Sequence, residues 1–119
     1  MWLITTTGFY SIVQKPWDKE DGTLTVRARA RADLETLRAR GLPELGEVKE
    51  DGDADYRFRA QATKAAVARA FNDQITAIDY DNFKTAVGKR QGAARARIYH
   101  DVWDALLPIQ ERGSSEGGK

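Results

Sequence analysis

Alternation at period two dominates two short segments of the chain. In "LTVRARA", Leu24, Val26 and Ala28 fall on one side, while Thr25, Arg27 and Arg29 fall on the other. The segment over 55–61 repeats the pattern: Tyr56, Phe58 and Ala60 oppose Arg57, Arg59 and Gln61. Each alternating run then gives way to helical spacing. Asp33 is placed to cap a helix carrying Leu34 and Leu37, which Gly41 and Pro43 end. Thr63 caps a second, on which Val67, Phe71, Ile75 and Ile78 make a stripe at i, i+4, i+8 and i+11.

Around this pair of strand-into-helix units the pattern supplies further elements. "WLITT" and "GFYSIVQK" are rich in β-branched and aromatic residues and read as strand, with Gly8 as a bend. "PWDKEDGT" reads as a turn-forming loop. A strand over 45–50 joins the 55–61 strand through the acidic "EDGDAD" turn. "DYDNFKTAVG" predicts a short helix capped by Asp79 or Asp81 and closed by Gly88, and a last helix runs from about 92 until Pro108 disrupts it. The fold class is α+β: a ferredoxin-like antiparallel sheet of four or five strands, helices on one face, plus C-terminal helices. The strand that normally ends such a fold is missing. "GFYSIVQK" is expected in its place, giving a circularly permuted or N-terminally extended version. The predicted core is Leu24, Val26, Ala28, Tyr56, Phe58, Val67, Phe71, Ile75 and Ile78. The domain spans 1–110, and the polar, glycine-rich residues 111–119 read as a disordered tail.

The segments "GFYSIVQKP", "LTVRARA" and "YDNFK" together resemble a group of small bacterial and phage proteins. The likeness covers most of residues 1–108. That group carries no assigned activity, so the resemblance implies no catalytic or binding residue.

Composition removes several chemistries. With 119 residues and no cysteine, the chain is long enough for a core and lacks disulfides and thiolate metal sites, which suits a cytoplasmic location. No apolar run approaches the ~20 residues that span a bilayer. A single histidine, His100, stands one helical turn from Asp104, with no nucleophile indicated beside it. No metal-ligand spacing and no phosphate-binding glycine loop is present. The chain therefore reads as non-enzymatic, with no cofactor and no metal.

Net charge is only +1, yet the charges are segregated. Residues 44–55 are acidic. Between Asp81 and Asp101 there is no acid, only Lys84, Lys89, Arg90, Arg95 and Arg97. Arg27, Arg29, Arg57 and Arg59 should project from the sheet face opposite the helices. They are either solvated, paired with the acids of 44–55, or held for phosphate, with Phe9 or Tyr10 available to stack a base. The last helix has an apolar arc wider than one core face requires, and Tyr99, Trp103 and Leu107 form a ridge beside the Ile98–Val102–Leu106 stripe. Two functions follow. The first is a protein-interaction module working through that ridge: an adaptor, a dimer subunit or a phage-type inhibitor. The alternative is nucleic-acid or nucleoprotein binding through Arg27, Arg29, Arg57 and Arg59, together with Lys84, Lys89, Arg90 and Arg95 of the basic 84–97 segment.

Overall fold

The computed structural model describes residues 1–117, with side chains as far as residue 110. The tail expected over 111–119 lies outside the residues described with side chains. Where the sequence draws one domain over 1–110, the chain divides into two compact units, Met1–Asp79 and Tyr80–Lys119.

The first unit is built on five antiparallel strands: β1 (Trp2–Ile4), β2 (Phe9–Val13), β3 (Thr23–Ala28), β4 (Lys49–Glu50) and β5 (Phe58–Thr63). Their order across the sheet is β1-β2-β3-β5-β4. Because β3 and β4 both pair antiparallel with β5, they run parallel to one another on either side of it. β2 pairs with the free side of β3. This α+β arrangement is compatible with a permuted ferredoxin-like sheet, with β2 where the closing strand would lie.

Helices α2 (Arg31–Arg40) and α3 (Lys64–Thr76) pack on one face. There Tyr10, Ile12, Val26, Ala28, Ala60 and Ala62 meet Leu34, Leu37, Ala66, Val67 and Ala70. Leu42, Leu45 and Val48 from the α2–β4 connection close the same core, and Leu3, Leu24, Phe58 and Phe71 border it. Thr63 caps α3 as expected, its hydroxyl accepting from the Ala66 amide at 3.2 Å. α2 begins earlier than expected, with Ala30 as its cap. Asp33 is spent elsewhere: its carboxylate accepts the Phe9 amide at 3.0 Å, and its carbonyl accepts the Tyr10 hydroxyl at 2.9 Å.

Three expectations change, two of them about the core. Ile75 and Ile78 are 67% and 51% exposed. α3 approaches the sheet through Ala66 and Ala70, and the next residue on that line is Gln74, which accepts a 3.4 Å hydrogen bond from Thr7. The large isoleucines therefore fall off the contact line. Tyr56 is buried, but it precedes β5, so the strand alternation does not govern it and its ring reaches the opposite face.

The third change is α1 (Pro16–Asp21), a helix where the sequence reads as a loop. Pro16 stands in its first turn, where a missing amide costs nothing, and Gly22 ends it in the left-handed region at φ 67°. Asp18 ties α1 to the sheet face away from α2 and α3. Its carboxylate accepts from Thr23 (2.6 Å), Gln61 (2.7 Å), the Lys15 amide (2.7 Å) and Thr25 (2.8 Å). The side chain is fully buried. Burial alone would raise its pKa; the donors from Thr23, Lys15, Gln61 and Thr25 outweigh that and hold it at about 2.

The second unit pairs α4 (Phe83–Gln91) with α5 (Ala93–Gly117). Asn82 rather than either aspartate caps α4, accepting from the Thr85 amide at 2.9 Å. Gly88 lies within α4, and Gly92, at φ 94°, makes the break. Pro108 lies inside α5. Val87 and Tyr99 are buried, with the Tyr99 ring stacked on Phe83 at 5.9 Å.

Candidate polyanion-binding sheet face

Strand register brings five side chains into one row across the first unit. Trp2 pairs with Ser11, Ser11 with Arg27, Arg27 with Arg59, and Arg59 with Lys49. The row crosses all five strands on the face opposite α2 and α3, because its members alternate with the core residues Val26, Ala28 and Ala60. α1 covers the neighbouring row, where Thr25 pairs with Gln61.

Aromatic rings fix the other border. Tyr56 lies beneath two guanidiniums, Arg27 at 4.5 Å and Arg29 at 4.9 Å from its centroid. Phe9 meets Tyr56 at 6.2 Å, and Trp2 meets Phe9 edge-on at 5.9 Å. The ring series runs from a buried tyrosine to an indole that is 69% exposed. Phe9 thus stands on this face, whereas Tyr10, the other stacking candidate, is fully buried in the core beside Phe71.

The four sheet arginines are not equivalent. Arg57 is neutralised by Glu50 through contacts of 3.1 and 2.8 Å. Arg29 donates to the Asp55 carbonyl at 3.3 Å. Arg27 donates through Nη2 to Ser11 at 2.7 Å, and Arg59 through Nη2 to the Tyr56 carbonyl at 3.3 Å. Among the described residues no carboxylate lies within ion-pair distance of Arg27, Arg59 or Lys49. The Nε atoms of Arg27 and Arg59 are buried without an acceptor, while their Nη1 atoms are uncommitted and outside the buried set. Two adjacent guanidiniums therefore sit a strand apart with their charge unbalanced. Pairing with the acidic segment, one of the sequence alternatives, applies to Arg57. Arg69 on α3 takes a second such acid, Glu44, and this contact holds the Glu44 carboxyl at about 2.

Sequence reasoning found Arg27 and Arg59 and missed Trp2 and Tyr56. The only signal for Trp2 was its place in a β-rich segment. That it shares a row with the arginines depends on pairing register, which the segment alone does not contain.

The basic 84–97 segment belongs to the second unit. Lys84 Nζ lies 2.9 Å from Nδ1 of His100 and 5.5 Å from the Trp103 ring, which stacks on His100 at 5.7 Å. The Nε2 atom of the same ring faces Asp104 at 3.4 Å. Arg95 donates to the Tyr99 hydroxyl at 3.2 Å. Lys89 and Arg90 are exposed in the last turn of α4, where cations complement the helix dipole. Of the expected protein-contact ridge, only Trp103 is well exposed, at 55%. Tyr99 is buried and Leu107 partly so, while Ile98 and Leu106, the expected core stripe, are 56% and 54% exposed. Tyr99, stacked on Phe83, turns inward, while Trp103 of the ridge stays exposed and Val102 of the expected core stripe is partly buried.

Among the described residues no group of three metal-ligating side chains occurs, and no helix is long and apolar enough to cross a membrane. Comparison with protein-family models, with curated proteins and with solved structures finds no match.

Proposed function

We propose that this chain is a non-enzymatic binding protein whose Arg27–Arg59–Lys49 row takes a phosphate-bearing polyanion, a nucleic acid. The observation that carries the reading is three cations in register on one sheet face, Arg27 and Arg59 half-buried and Lys49 exposed, without a carboxylate partner. Although the Nε atoms of Arg27 and Arg59 are out of reach, the guanidinium donors outside the buried set can meet an incoming oxyanion, to which arginine offers a planar set of donors. Two acids of the 44–55 segment, Glu50 and Glu44, are taken up by Arg57 and Arg69 rather than by the row. Fluorescence anisotropy with a labelled oligonucleotide tests the reading. Affinity should fall with added salt, at about 0.7 to 0.9 log units per log unit of salt for each phosphate contacted. Joint Arg59→Gln and Lys49→Gln substitution should weaken binding and flatten that slope. No anisotropy change at low salt and micromolar protein would sink it.

A second reading, self-association or protein contact through α5, is favoured by the exposure of Ile98, Trp103, Leu106 and Ile109. Four large apolar side chains on one helix make a patch of the kind that marks interaction surfaces.

A further inference from the structure

From the same row we infer a narrower ligand: the strip takes a single strand, with one base stacked on the Trp2 indole and the adjoining phosphates on Arg27 and Arg59. The inference rests on the polyanion reading and adds the class of nucleic acid. Trp2 stands at one end of the row and Lys49 at the other. Four strand spacings of ~4.8 Å make the row about 19 Å long, with Trp2 about 10 Å from Arg27. Arg27 and Arg59 are one spacing apart, which suits the adjoining phosphates of one strand. A strip of that length holds only a few nucleotides, the lower end of the roughly 4–16 that one small sheet domain occupies.

The indole supplies the selectivity. Its edge contact with Phe9, at 88° between planes, fixes its orientation and leaves most of its surface in solvent. A base can stack there only if one of its faces is free, and inside a duplex both faces are already stacked. The preference should also tolerate any base, because every base has a π-face.

The test compares a short oligothymidylate with a duplex of equal length, by anisotropy at low salt, against the wild type and Trp2→Ala. Trp2 is largely exposed, so circular dichroism of the variant should match the wild type. The single strand should bind the wild type more tightly than the duplex. Trp2→Ala should weaken the single strand about tenfold or more, leave the duplex unchanged, and be largely rescued by Trp2→Phe. Equal binding of both forms, or no loss in Trp2→Ala while Arg59→Gln still weakens binding, overturns the stacking inference and spares the polyanion reading. No binding of either form removes both. A polyglutamate chain that competes at the same strength, with no effect of Trp2, reassigns the row to an acidic protein segment and overturns the inference as well.

Discussion

Asp18 is the residue on which the second layer of the first unit depends. In Asp18→Ala, the donors of Thr23, Thr25, Gln61 and the Lys15 amide all lose their acceptor at once. Thr25 is almost fully buried, so its hydroxyl has little access to replacement water. Each hydrogen bond to a charged group contributes roughly 1.5–3 kcal/mol, and the buried carboxylate's own desolvation cost offsets a large part of the sum. A net loss of about 3–4 kcal/mol is expected, a large share of a small domain's stability. Asp18→Asn should be much milder. The Lys15 amide can only donate, so the asparagine oxygen must face it and Thr25. Its amide nitrogen then faces Thr23 and Gln61, a hydroxyl and a side-chain amide that can both turn to accept. A cost of about 1 kcal/mol is expected, from exchanging charged for neutral hydrogen bonds.

The pH dependence separates this account from simple packing. The folded-state pKa of about 2 lies below the ordinary 3.8. Asp18 therefore contributes stability that is fully present above pH ~4 and is lost as pH falls toward 2. Urea melts followed by circular dichroism should show the gap between wild type and Asp18→Asn shrinking over that window. Glu44, also held near 2, titrates alike in both proteins and cancels. A gap that stays constant down to pH 2, or an Asp18→Ala variant within about 1 kcal/mol of wild type, would refute the clamp.

Two further outcomes are expected. A Cβ on Gly8 would lie 2.7 Å from the Asp33 carboxyl carbon and 2.8 Å from the Tyr10 hydroxyl, so Gly8→Ala should destabilise by about 1–3 kcal/mol in the same melts. If α5 mediates association, Trp103→Glu should lower the mass seen by light scattering without changing circular dichroism; a wild type that is already monomeric at high concentration would discard self-association.

Strand faces were legible in the sequence because alternation at period two is a local property: Val26 and Ala28 against Arg27 follows from the peptide geometry alone. The Thr63 cap was legible for the same reason, since a side-chain oxygen three residues from its donor needs no distant partner. Helix faces were less so. Reading α3 by its large apolar residues selected Ile75 and Ile78, whereas the packing runs over Ala66 and Ala70, because small side chains let a helix approach a sheet closely. On α5, likewise, the choice between Tyr99 and Ile98 was made by Phe83, a residue sixteen positions from Tyr99. α1 was hidden by its composition. Pro16, Asp18 and the Asp-Gly pair are turn formers in isolation, and only the donors on Thr23, Thr25 and Gln61 give a buried carboxylate reason to hold six residues as helix. The candidate site divides the same way. Its arginines belong to the sequence, but their row with Trp2 and Lys49, and the loss of Arg57 to Glu50, were decided by pairing between residues up to thirty-two positions apart. Register of that kind is set by the whole sheet at once.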